Sequence, residues 1–361
     1  MKKLQLFFIL FFGFSGLLQA QIQSKDSTLK ISGSADIYYA YDFAQSKNYT
    51  PSPDLLGTKQ NSLDFGMLDL KIQKSMGKAS FFSDIYFGPR PESKGIAVKA
   101  NYNIQNLYFS YKLNKRLSFS AGAMFRYQLF EKITPVDNFN YSMSHSWQNT
   151  FNSYPRTGGF RASYIFSDKV NLNVGLYNSI DPQFSFDKVN GSFFYGTSDF
   201  AAQLFVSPSK DLQLSAACWL EAQKNNGKHL NLQARYQVNK GLKVGLDVTK
   251  VNSDTTSSIT AFTSSVFYVQ QRINKIFTIG GRYEYMDQTE SPNGTTALSF
   301  LPGYYNTATI TLNEKLGAIA LKQEIKFDQT NKGNQASPFQ DKDGNMTNKA
   351  TQLVIAAVFS F

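Results

Sequence analysis

Apolar and polar residues alternate with a period of two through most of the chain after Leu29, most clearly at the carboxyl end. Between Thr351 and Phe361, one parity carries Leu353, Ile355, Ala357, Phe359 and Phe361, and the other Gln352, Val354, Ala356, Val358 and Ser360. Successive strand side chains point to opposite faces, so this run predicts a strand with one oily and one milder face. Ending on a bare apolar strand invites aggregation in a soluble sheet. A closed membrane barrel avoids that, because its last strand pairs with its first.

Sixteen alternating segments are expected, from Leu29–Asp42 to Thr351–Phe361. Leu63–Lys74, Ser192–Val206 and Ala261–Ile273, the second, eighth and twelfth, break the alternation and are where bulges are expected. Short polar turns follow the even segments, among them Ser75-Met76-Gly77-Lys78, Asn239-Lys240-Gly241 and Asn313-Glu314-Lys315. Most odd segments lead into long loops, such as 43–62, 129–155, 287–303 and 328–350; those after Gln223 and Val251 are short. Sorting of loop length by parity is the signature of an outer-membrane barrel with its turns in the periplasm. The predicted fold class is therefore all-β: a transmembrane antiparallel β-barrel of about sixteen strands, with short periplasmic turns and long extracellular loops.

Individual strands agree. Leu230, Leu232, Ala234 and Tyr236 share a face opposite Asn231, Gln233, Arg235 and Gln237. Phe277, Ile279, Tyr283 and Tyr285 oppose Arg282 and Glu284. Aromatics near strand ends on the apolar parity fit girdles at the two membrane interfaces. Charges of both signs on the other parity suit a watery lumen, since a dry core could not hold them unpaired.

The amino terminus predicts a signal peptide over residues 1–20, with Lys2 and Lys3, an apolar run from Leu4 to Phe12 and Ala20 before the cut, leaving 21–361 as one barrel domain. The mean hydropathy of −0.31 fits a barrel or a secreted soluble protein equally. Cys218 is the only cysteine, so no disulfide framework follows export. The formal charge of +11 draws anions, but its basic residues are scattered without interleaved aromatics, which argues against nucleic acid.

Three stretches resemble the OmpL-like β-barrel porin family of Gram-negative outer membranes: Ser32 to Phe43, Thr134 to Ser142, and Arg156 to Tyr164. The resemblance covers most of the first half and thins afterwards. It implies an outer-membrane barrel with porin activity, and brings neither a substrate nor catalytic residues. A terminal Phe behind alternating apolar residues also resembles the signal read by the barrel-assembly machinery, here Leu353, Ile355, Phe359 and Phe361.

Enzyme chemistry finds little support. His145 and His229 are the only histidines, and neither a metal-ligand spacing nor an HExxH or CxxC motif occurs, so no cofactor or metal is expected. Ser144, Ser146 and Asp137 beside His145 give no positioned partner for catalysis. The loop 129–155 invites the functional reading, because in sixteen-stranded porins the loop at that place folds into the barrel. The expected constriction sets Asp137, His145 and Trp147 of the loop against wall residues Arg126, Arg161 and Arg235, a transverse field selecting by size and charge. The expected function is passive diffusion of small polar solutes, with a mild anion preference that lumenal Asp36, Asp69, Asp84, Asp247 and Glu284 offset. Two alternatives stand beside it. One is a channel specific for oligosaccharide, peptide or phosphate, with Tyr38, Tyr108 and Trp219 as a sliding surface; the other is a non-transporting surface barrel whose loops bind a partner. Outer-membrane lipid is an expected partner, and a homotrimer follows by analogy with other sixteen-stranded porins alone.

Overall fold

In the computed structural model, the chain is described over residues 28–45, 61–88, 102–125, 127–138, 146, 148, 157–178, 198–220, 227–252, 261–288, 303–330 and 339–361. Sixteen strands close into one antiparallel barrel. They are β1 (Leu29–Asp42), β2 (Ser62–Met76), β3 (Ala79–Phe87), β4 (Tyr102–Lys112), β5 (Leu117–Met124), β6 (Thr157–Ser167), β7 (Val170–Asn178) and β8 (Ser198–Val206). The second half comprises β9 (Leu212–Leu220), β10 (Lys228–Gln237), β11 (Leu242–Asn252), β12 (Phe262–Arg272), β13 (Phe277–Gln288), β14 (Gly303–Leu316), β15 (Ile319–Thr330) and β18 (Lys349–Ser360). A two-stranded hairpin of β16 (Phe339–Gln340) and β17 (Met346–Thr347) stands apart from the barrel sheet.

Each strand pairs with its sequence neighbour, and β18 pairs with both β15 and β1. Closure is sealed at the end of the chain. Gly33 N donates to Phe361 O at 3.0 Å, and Phe361 N donates back to Gly33 O at 3.0 Å. A Cβ at Gly33 would clash with the Asp69 carbonyl and come within 2.7 Å of the Phe361 ring, so glycine lets both approach. Phe359, Ile355 and Leu353 stand opposite Ala35, Tyr39 and Tyr41 of β1 on the outward parity.

The outward parity forms an apolar belt. Leu107, Leu176, Leu230, Leu232, Phe267 and Ile310 are all exposed around the barrel, as lipid contact requires. Tyr111, Tyr164 and Tyr236 are exposed toward the turn-side ends of their strands, and Tyr283, Tyr285 and Tyr304 toward the loop side, in the places expected of girdles. The inward parity is polar: Asp36, Asp69, Asp84, Asp247 and Glu284 are buried from outside solvent and face the interior. Among the described residues, no helix is long and apolar enough to cross a membrane; here strands do the crossing.

Two expectations need correction. Register shifts mark bulges at Gly66 on β2, Gln105 on β4 and Phe166 on β6, whereas β8 and β12 keep regular pairing in their described stretches. The second strand bears out the bulge expected there; in the eighth and twelfth, mixed parity reflects small and polar residues on both faces, not an extra residue. Likewise Asn313, Glu314 and Lys315 belong to β14, and the turn falls at Gly317-Ala318. Gly317 adopts φ +66°, the left-handed conformation that a tight hairpin needs, and Asn313 cannot outcompete it. The expected signal peptide lies outside the described residues.

The lipid-facing belt makes a direct prediction. Leu232, 59% exposed in the middle of β10, changed to Arg should destabilise the barrel by about 2–4 kcal/mol in urea unfolding from lipid vesicles. Leu232→Ile, which keeps the volume, should cost under about 1.5 kcal/mol.

Candidate functional site

The chain leaves β5 at Met124 and turns into the barrel. Residues 127–138 then cross the lumen, touching inward-facing residues of strands on opposite sides. Tyr127 enters first, packing in one cluster with Met124 of β5 and with Tyr177, Ala201, Ala217 and Trp219 on the β7–β9 wall. Its neighbour Gln128 is fixed through its backbone: its N–H donates to Gln203 Oε1 at 2.8 Å, and its carbonyl accepts from Gln233 Nε2 at 3.1 Å.

Phe130 is the anchor of the segment, 1% exposed. Its ring stacks on Tyr268 of β12 with centroids 4.4 Å apart. The Arg235 guanidinium lies 4.4 Å from its centroid, and Arg235 Nη2 donates to its carbonyl at 3.0 Å. Opposite stands Gly245 of β11, where a Cβ would come within 2.5 Å of the ring. A glycine on the inward parity of a clean strand therefore gives the ring its seat.

Glu131 follows and meets a buried cation. Its Oε1 accepts from Arg282 Nη1 at 3.0 Å, while Oε2 accepts from the N–H and Oγ of Ser146 at 2.9 and 3.0 Å. Arg282 also donates to Thr309 Oγ1 at 3.0 Å. A buried pair of this kind depends on further hydrogen bonds, and here Ser146 and Thr309 supply them. Gln148 N donates to Glu284 Oε1 at 2.6 Å, which returns a later part of the same connection to β13.

Beyond Glu131 the segment reaches the other wall. Ile133 packs with Met67 and Tyr86 of β2 and β3. Thr134 then starts a 3-10 turn, Pro135–Asp137, whose proline suits the first helical position. The Pro135 carbonyl accepts from Lys322 Nζ of β15 at 3.0 Å, and Val136 packs on the cluster of Tyr38, Ala40, Val354, Ala356 and Val358. Asp137 accepts from Lys71 Nζ and Thr134 Oγ1, each at 2.5 Å. Burial pushes the Asp137 carboxyl upward, but the hydrogen bonds from Lys71 and Thr134 and the charges of Lys71 and Lys132 outweigh it and hold it below its ordinary value. Lys132 is pushed down to about 8, first by burial and then by the charge of Arg235.

The structure describes three of the six residues expected at a constriction, and it puts them in three places. Asp137 meets Lys71, a residue the sequence reading did not single out. Arg235 grips the segment at Phe130. Arg161 stands over the Tyr108 ring, 5.8 Å from its centroid. Arg126, His145 and Trp147 lie outside the described residues. Glu131, Arg282, Lys71 and Lys322 were missed, because a lone charge on an inward parity does not reveal its partner across the lumen. Gly245 did carry a signal, as a bare position amid alternating large ones. Of the expected sliding aromatics, Tyr38 and Trp219 are 2% and 1% exposed, packed with Val136 and Tyr127.

The described part of the last long loop also bends inward. Phe339 of β16 is buried with Val251, Phe262, Met286 and Tyr305 at the loop end of the wall. Among the described residues, no group of His, Cys, Asp or Glu side chains could hold a metal ion.

A family model described as "Putative beta-barrel porin-2, OmpL-like" matches residues 28–361. No curated protein matches the chain in sequence. Solved structures with the same fold include OprB of Pseudomonas putida, at 11% identity and TM-score 0.65, covering 92% of this chain and 94% of that one. The outer membrane channel DcaP of Acinetobacter baumannii shares 13% identity at TM-score 0.62, over 92% and 97% of the two chains. An anion-selective porin from Comamonas acidovorans shares 13% identity at TM-score 0.60, over 92% and 99%.

The Asp137 latch sets a pH dependence. A carboxyl held below 3.8 keeps its ion pair from that value up through neutral pH and loses it as pH falls through the folded-state value. Single-channel conductance should therefore hold steady from neutral pH down to the ordinary carboxylate range and rise below it. Asp137→Asn should conduct more than the wild type already at neutral pH and show a smaller acid step.

Proposed function

The chain belongs to the OmpL-like β-barrel porin family, a family of outer-membrane channels, and from that premise we propose how this barrel limits what passes. Residues 127–138 are the constriction of a passive channel for small polar solutes. The observation that carries this reading is the set of contacts made by that one segment, which holds Tyr268 and Arg282 on one wall and Lys71 and Tyr86 on the other. Sixteen strands leave an aqueous interior too wide for side chains alone to fill. A segment lying across it divides that interior and reduces the cross-section available to solutes.

Selection then follows from size and charge at the rim of the segment. Asp137, whose side chain is 42% exposed, presents its carboxylate beside the Lys71 ammonium, opposite charges within one passage. No chemical step is required, and the fold and family point to a channel, not an enzyme. Export behind a cleaved leader at residues 1–20, and recognition of Phe361 and its alternating neighbours by the barrel-assembly machinery, belong to the same proposal. His145, Trp147 and Arg126 keep their place in it as candidate lining residues.

The test loosens the segment without touching the barrel's outer belt. Gly245→Val should drive the Phe130 ring from its seat, costing about 1–3 kcal/mol of stability as overpacking does, while raising unitary conductance in a planar bilayer. Phe130→Ala should raise conductance by removing the anchor itself. Unchanged conductance from both variants in folded barrels would remove the constriction reading.

A further inference from the structure

Below the inserted segment, toward the periplasmic turns, lies a cavity of about 470 Å³. Its ceiling is Val136, and its floor is formed by the turns at Gly241, Lys275 and Gly317. Among the described residues, six cations line it (Lys240, Lys243, Arg272, Lys275, Lys315 and Lys322) and no acidic residue does. Basic residues are common on the other turns as well, as at Lys78 and Lys169, and there they are exposed on the turn surface. This arc differs in that Lys243, Arg272, Lys315 and Lys322 lie on the inward parity of their strands.

One row across the wall is ordered for recognition. Arg272, Thr278, Asn313 and Lys322 stand directly opposite one another on β12, β13, β14 and β15. They offer a guanidinium, a hydroxyl, an amide and an ammonium in sequence. Lys322 is fixed from above through its bond to the Pro135 carbonyl. Asn313 is 7% exposed and lines the cavity, and among the described residues neither its Nδ2 nor its Oδ1 has a hydrogen-bond partner. A buried amide with both atoms unsatisfied is rare and costly, and calls for a polar guest. Like charges converging on one concavity with low-dielectric walls also favour a counter-ion.

The geometry points to an anion-binding vestibule at the periplasmic mouth, taking small anions that carry several phosphate or carboxylate oxygens. It deepens the channel reading and rests on it for its role: solutes that clear the segment meet a site that concentrates anions on the turn side. Arg272 supplies a fork that fits two oxygens, and Asn313 Nδ2 donates to a third. The acids elsewhere on the inner wall stand outside this lining, so the site's charge is set locally and not by the lumen as a whole.

The test uses the full chain in neutral detergent, with inorganic pyrophosphate as the probe in titration calorimetry. The wild type should bind saturably. Arg272→Gln with Lys315→Gln should weaken binding by at least about tenfold, since two of the converging charges are gone. Asn313→Leu should also weaken it with the charge unchanged. Lys78→Gln with Lys169→Gln removes as many charges from other turns and should leave binding unchanged. Absence of saturable binding by the wild type, or equal loss in the Lys78 and Lys169 variant, would overturn the site. Bilayer recordings separate the two readings: binding by a folded barrel that never opens keeps the site and removes the channel, and open channels without binding do the reverse.

Discussion

Every backbone N–H and C=O inside a bilayer must find a partner within the protein, because hydrocarbon offers none and each orphan costs several kcal/mol. This constraint shapes the whole chain. It requires β18 to find β1, and the reciprocal bonds of Gly33 and Phe361 complete that seam. It also fixes which parity of each strand is oily. A one-residue slip at the seam would turn either Phe359 and Ile355 into the lumen or Asp36 toward lipid.

Closure then creates a second problem, a wide polar interior lined by charges of both signs. The segment 127–138 resolves much of it. Glu131 neutralises Arg282, Asp137 accepts from Lys71, and backbone carbonyls at Phe130 and Pro135 accept from Arg235 and Lys322. The same contacts that satisfy the wall therefore hold the segment in place. Its apolar members, Tyr127, Phe130, Ile133 and Val136, each meet a separate patch of the wall, so its position is specified by packing as well as by charge.

The barrel was legible because its two signals are local. Period-two alternation in β10, β11 and β13 states the face of every residue, and Gly77 or Asn239-Lys240-Gly241 marks the ends. Where a turn depended on backbone conformation instead of polarity, as at Gly317, the boundary slipped into β14. The lumen was harder to read. Its organising pairs join residues far apart in sequence, Glu131 with Arg282 and Pro135 with Lys322, and no periodicity encodes such a distance. Asp137 was found from its loop, but its partner Lys71 lies on β2, where the bulge at Gly66 blurs the alternation. The inward turn of Phe339 gave no signal beyond a lone aromatic in a polar loop.

Thiol crosslinking reports whether the segment 127–138 lies across the lumen. Lys71→Cys and Asp137→Cys, combined with Cys218→Ser, place two thiols at the latch on β2. A short bifunctional thiol reagent applied to folded protein in membranes should join them, giving a faster-migrating band after denaturation. Failure to join them, with each single cysteine still labelled in a folded barrel, would place the segment away from β2 and out of the lumen's cross-section.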